Sequence, residues 1–154
     1  MIEAIFVANE KSAPQIEVRE IAVTARKGIV GDRHFNRNKC PGQNVTFIEA
    51  EEIDAFNTAY KRSLKLGDIR RNIITRSVRL NDLVGKSFQI GSVEFYGVEL
   101  CEPCKTIGNL LASSDMRAQD VIGAWVHKSG LRANVIKSGI LRVGMPFDVS
   151  STHS

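Results

Sequence analysis

Short β-rich runs, each closed by glycine, proline or asparagine, recur along almost the whole chain, and no regular strand–helix alternation connects them. A doubly wound parallel sheet needs that alternation, so the pattern points to a mainly β, α+β fold. Residues 2–8 and 16–24 are two such runs, separated by the polar, proline-bearing Asn9-Glu-Lys-Ser-Ala-Pro-Gln15, which predicts a hairpin. Further strands are predicted at 45–48, 69–75, 83–90, 93–98 and 131–137. Helices intrude in few places. Ile53, Phe56 and Tyr60 recur at helical spacing within 50–60. Residues 107–112 continue a cysteine-bearing turn as a helix, and Met116, Val121, Ile122, Trp125 and Val126 form an apolar stripe within 114–128 that predicts core packing. Leu83-Val-Gly-Lys-Ser-Phe-Gln-Ile90 and Arg142-Val-Gly-Met-Pro-Phe-Asp-Val149 share a Val-Gly-x-x-Phe-x-[Ile/Val] pattern. Each reads as a tight turn delivering a strand, and two turns of one kind suit a barrel-like domain with helical insertions.

No linker or shift in composition divides the 154 residues, so a single domain over 1–154 is expected, with 150–154 as a frayed polar tail. The 43% hydrophobic and 25% charged content is that of an ordinary globular chain. Twenty-one Lys and Arg against 17 Asp and Glu leave +4, too small and scattered an excess to indicate nucleic acid, though a local arginine cluster would suit a small anionic ligand. No run approaches the roughly 20 apolar residues of a membrane span. The N-terminal residues 1–10 lack a basic leader region and read as a first strand. With three cysteines and no mark of secretion, a reducing cytoplasm is the expected compartment.

The chemistry concentrates in Glu99-Leu-Cys-Glu-Pro-Cys-Lys-Thr106. A strand precedes it and a helix follows, which places Cys104 at a helix start, where the dipole and free amides favour a thiolate. Lys105 adds an adjacent positive charge. Free cysteine is also a common small core residue, and the motif alone leaves both readings open. The i,i+3 spacing of Cys101 and Cys104 admits a dithiol redox module, although the βαβ context of thioredoxin-like proteins is missing. A structural zinc site from Cys101, Cys104, Cys40 and His34 rests on one CxxC with scattered partners.

Four stretches in order resemble the MOSC domain, the C-terminal module of molybdenum cofactor sulfurases that also occurs as small stand-alone bacterial proteins. They are Gly28-Ile-Val-Gly-Asp-Arg-His34; Leu66-Gly-Asp-Ile-Arg-Arg-Asn-Ile-Ile-Thr75; Leu83 to Gly91 leading into Cys101-Glu-Pro-Cys104; and Gly130-Leu-Arg-Ala-Asn-Val-Ile-Lys-Ser-Gly139 before Val143-Gly144. The resemblance implies a β-barrel and one functional cysteine, Cys104, that carries sulfur as a persulfide or ligates the molybdenum of a pterin cofactor. It implies a sulfurtransferase-like or molybdenum-cofactor-dependent activity, or a non-catalytic module that grips a metal–sulfur ligand. No pyridoxal-phosphate domain is present in this chain, so sulfur would come from a separate donor such as a cysteine desulfurase, and a molybdoenzyme is the expected client.

Within those stretches Arg33, Arg71 and Arg132 are the expected binders of an anionic cofactor, since planar guanidinium forks suit phosphate and sulfur oxyanions. His34 is the candidate general acid or base. Asp32 caps a turn or pairs with an arginine. Asn72 either lines the pocket with Arg70 or satisfies buried backbone groups.

Overall fold

The structure, a computed structural model, describes residues 1–37 and 39–149; Asn38, within the loop expected at 36–44, and the tail expected at 150–154 lie outside them. The elements run β1 (Ile2–Val7), β2 (Ile16–Val18), β3 (Glu20–Thr24), β4 (Gly28–Ile29), β5 (Val45–Glu49), α1 (Ala50–Tyr60), β6 (Ile73–Thr75), a 3-10 turn (Leu80–Leu83), β7 (Ser87–Ile90), β8 (Val93–Leu100), α2 (Lys105–Leu111), α3 (Ala118–Trp125), β9 (Leu131–Lys137), β10 (Gly139–Arg142) and β11 (Phe147–Asp148). The fold is mainly β with helices inserted, as the strand-rich sequence implies. Among the described residues no helix is long and apolar enough to cross a membrane.

Eight strands form one sheet in the order β11-β7-β8-β9-β5-β6-β1-β2, and three form a second, β10-β3-β4. Neighbours are antiparallel except β5 and β6, which are parallel and joined through α1. No ladder joins the two sheets among the described residues, so closure into the expected barrel is not seen, and the two sheets share one apolar core. The reason lies at Arg19. The run expected as one strand over 16–24 breaks there, β2 pairing with β1 and β3 with β10. Single backbone bonds stitch the corner instead, Val143 N–H to Arg19 O (3.0 Å) and Gly144 N–H to Ile2 O (2.8 Å). The two turns that echo each other in sequence deliver β7 and β11, which pair with one another.

Alternation along the strands sorts apolar side chains onto two faces. Ile5, Val45, Phe47 and Ile73 share one core with Ile21, Val23 and Leu141 of the second sheet, and within it the Phe47 ring meets those of Phe88 and Phe95, from β7 and β8 of its own sheet, edge-on at 5.8 and 5.3 Å. Phe6, Ile48 and Ile74 face the helices, packed with Ile53 and Phe56 of α1, Ile107 and Leu111 of α2, and Val121 and Trp125 of α3. That layering holds α2 against the sheet and so fixes where its first residue lies. α3 is shorter than predicted; it starts after Arg117, whose backbone N–H is accepted by the Asp120 carboxylate at 3.1 Å.

Candidate functional site

At the end of β8 the chain leaves the ladder, with Cys101 N–H donating to Gly130 O at 2.7 Å, and runs without a turn to Cys104, the N-cap of α2. Glu102 anchors this crossing, one carboxylate oxygen accepting the His127 N–H and the other meeting His127 Nδ1, both at 2.7 Å. Cys101 is buried and Cys104 exposed, and both are free. The Cys104 thiol is drawn below the ordinary thiol range. The Ile107 amide contributes most, burial works against it, and the Thr106 amide, the Thr106 hydroxyl and the positive charge of Arg71 add to the lowering.

Arg71 is the buried cation of the site, with 8% of its surface exposed. Its Nε donates to Ser129 O at 2.9 Å, and the Ser129 hydroxyl donates to Cys101 O, so one serine couples the arginine to the cysteine segment. Burial pushes the guanidinium pKa down, Cys101 and Cys104 push it up, and Arg132 pushes it down. No carboxylate is paired with Arg71 among the described residues. Gly130 makes the Ser129 placement possible. At φ +111° a Cβ there would lie 1.9 Å from Phe47 O, so only glycine lets the two backbones approach this closely.

Arg132 stands on β9, opposite Thr46 on one side and Glu99 on the other. The backbone of Gly42 presses on it, and a Cβ at Gly42 would come 2.9 Å from Arg132 Cβ. Gly42 N–H donates to Asn134 Oδ1 at 2.9 Å, holding the loop that bears exposed Cys40 over β9. Arg33 is half-buried, its guanidinium pKa lowered by burial, raised by Asp32 and lowered again by Arg70 and Arg71; its Nη1 is buried without a partner. The three arginines therefore lie within electrostatic reach of one another in series, and Cys104 lies within reach of Arg71.

Asp32, His34 and Asn72 form a different cluster. Buried Asp32 accepts the N–H groups of Ala8 (3.1 Å) and His34 (3.2 Å) and the Asn72 amide (3.3 Å), and His34 Nδ1 lies 3.5 Å from its second oxygen. Burial opposes the Asp32 charge, but the hydrogen bonds from His34 and Ala8 outweigh it and the carboxyl pKa is lowered. Asn72 donates to Phe6 O (3.2 Å) and accepts from the Thr46 N–H and hydroxyl at 3.2 and 3.1 Å. Of its two expected roles, the satisfaction of buried backbone is the one seen. The strand alternation expected from residue 69 begins only at Ile73, since Arg70 has φ 63° and its guanidinium turns to the carbonyls of Lys11 and Ala13.

Lys105 is exposed at the start of α2, and the cation that acts on the thiol is Arg71. The sequence reading missed Thr106, whose hydroxyl two positions after the cysteine signalled an N-terminal donor, and Ser129, which carried no signal at all. Cys101, Cys104, Cys40 and His34 do not gather as a zinc site; no three His, Cys, Asp or Glu side chains among the described residues are placed to hold a metal ion.

The sequence model of the MOSC domain matches residues 31–148. No curated protein matches the chain. Among solved structures, YuaD from Bacillus subtilis superposes with TM-score 0.81 at 18% identity, over 99% of this chain and 94% of that one. YiiM from Geobacillus stearothermophilus superposes with TM-score 0.72 at 16% identity, over 96% and 73%. YiiM from Escherichia coli does so with TM-score 0.66 at 15% identity, over 96% and 69%. At these identities the likeness is one of fold.

Proposed function

We propose, for a chain that belongs to the MOSC domain family, that Cys104 is a sulfur-carrying thiolate and that the arginines beside it hold the anionic cargo. One observation carries this reading. An exposed cysteine sulfur faces the amides of Thr106 and Ile107 next to a buried arginine that no carboxylate neutralises among the described residues. Such a site stabilises a negative sulfur and leaves it open for transfer.

The loading step balances without an external oxidant when the donor is itself a persulfide, as a cysteine desulfurase would supply. The Cys104 thiolate attacks the donor's terminal sulfur, a new S–S bond forms at Cys104, and the donor S–S bond breaks with its electron pair leaving on the donor thiolate. The amides of Thr106 and Ile107 hold the Cys104 sulfur as the attacking anion.

A second reading is favoured by the unpartnered Nη1 of Arg33 and the nearness of Arg71 to both Arg132 and Cys104. In it a molybdenum–pterin cofactor is held, Arg33, Arg71 and Arg132 taking its phosphate and Cys104 its metal. The group would supply a thiophilic metal centre to a molybdoenzyme client.

Intact mass of the protein after exposure to a low-molecular-weight persulfide separates these readings. One added sulfur atom, removed by reductant and absent in Cys104→Ser, supports carriage. Molybdenum retained under native conditions and lost in Cys104→Ser supports the second reading. Neither adduct in the wild-type protein overturns both.

A further inference from the structure

Cys104 ends a crossing that belongs to neither sheet, and a second stretch of chain, 127–130, holds that crossing bond by bond. Cys101 N–H donates to Gly130 O at 2.7 Å, and the hydroxyl of buried Ser129 donates to Cys101 O. The third hold is the Glu102 carboxylate, which accepts the His127 N–H on one oxygen and meets His127 Nδ1 with the other, both at 2.7 Å. The holding stretch is itself tied down. Lys128 N–H donates to the carbonyl of fully buried Trp125 at 2.9 Å, and Asn81 Nδ2, from the 3-10 turn, donates to His127 O at 2.9 Å.

Two of these holds tie buried atoms, as a fold requires; the third does not. Glu102 and His127 are exposed, and an exposed carboxylate–imidazole pair adds little to stability. His127 also sits at φ 62°, in the left-handed region that glycine enters freely and a residue with a β-carbon does not. Glycine would serve this turn better; what the histidine adds is its ring on Glu102. Burial alternates along the crossing: Cys101 is buried, Glu102 exposed, Pro103 half-buried and Cys104 exposed, so Glu102 and Cys104 share the outer face of an extended segment. Cys104 itself is extended, at φ −123° and ψ 179°, the N-cap conformation from which its sulfur meets the Thr106 and Ile107 amides. We infer that Glu102 and His127 are positioning residues for Cys104, a clasp that keeps the crossing extended and the sulfur on those two amides. The clasp's use in sulfur loading rests on the function proposed above; its action on the thiol does not.

The test follows iodoacetamide labelling of Cys104 across pH, by peptide mapping, in the wild-type chain, Glu102→Ala and His127→Gly. Arg71 and Lys105, the cations about the thiol, stay in place in both variants. Charge alone would separate the variants: loss of the carboxylate moves the Cys104 profile to lower pH, and loss of the imidazole moves it to higher pH or leaves it. Loss of position moves both to higher pH. Both variants should therefore label about three- to tenfold more slowly than wild type at neutral pH, the difference closing in alkali where every thiol is ionised. His127→Gly should melt no lower than wild type, because glycine suits the left-handed turn. A Glu102→Ala profile that coincides with wild type or moves to lower pH overturns the proposal, as does a His127→Gly profile that coincides with wild type. Intact mass after exposure to a low-molecular-weight persulfide should show sulfur uptake slowed by a similar factor in both variants. A wild-type chain that takes up no sulfur removes the carriage reading alone, and the labelling profiles still decide the clasp.

Discussion

Two dipeptides, Asp32-Arg33 and Arg71-Asn72, each place one side chain in a saturated network and the other in an open one. Asp32 and Asn72 bind each other and satisfy the backbone of Ala8, His34, Phe6 and Thr46. Arg33 and Arg71 turn their guanidinium groups elsewhere, one with an unpartnered nitrogen and the other with a single bond to a backbone carbonyl. Buried polar groups that are fully paired fix a fold; a buried cation such as Arg71, with no carboxylate paired to it among the described residues, raises the electrostatic energy of the empty protein, and an arriving anion lowers it. The difference suits the first pair to holding the fold and, on the proposed function, leaves the second pair for an anion.

The largest effect that tests this division is on the saturated side. Asn72→Ala strips partners from Asp32, Phe6 O and Thr46 at once, and stability to urea should fall by about 3 kcal/mol or more. A change under about 1 kcal/mol would mean that the network is not structural. On the open side, Arg132→Ala should leave the urea midpoint unchanged but weaken binding of a phosphorylated pterin by about 1.5–3 kcal/mol in calorimetry. A matched loss of stability and affinity would erase the distinction. A smaller effect concerns acid. The folded Asp32 pKa is depressed, so its contribution is complete above the ordinary carboxylate value of about 3.9 and is lost as pH falls through the lower folded value. Asp32→Asn should flatten that part of the stability–pH curve, measured by thermal melting.

The same division explains what the sequence could convey. The period of Ile53, Phe56 and Tyr60 located α1 at its observed bounds, and the strand–cysteine–helix order located Cys104 at an N-cap, because both depend on neighbours along the chain. The break at Arg19 left no trace, since either half of that run reads as strand and only the pairing partners decide the sheet. Arg70 and Arg71 were indistinguishable as letters. One turns to the 11–13 carbonyls and the other to Ser129 because residue 70 adopts a left-handed conformation, which no propensity for arginine foretells.

The smallest predicted effect is also the most discriminating, because it asks whether the open cation and the thiol share one environment. Iodoacetamide labelling with peptide mapping across pH should modify Cys104 before Cys40 and Cys101, its rate rising at lower pH than for a free thiol near 8.5. Cys101 is buried and cannot compete; Cys40 is also exposed and so is the informative control. In Arg71→Met the Cys104 profile should move to higher pH, but only modestly, because the amides of Ile107 and Thr106 and the Thr106 hydroxyl remain, and Arg71 is the least of the favourable contributions. The fold should persist, since an uncompensated buried cation is replaced by an apolar chain of similar length. If the variant folds and its Cys104 profile coincides with that of wild type, Arg71 acts only through Ser129 as scaffold. It then belongs with Asn72, and the open cluster loses its link to the sulfur.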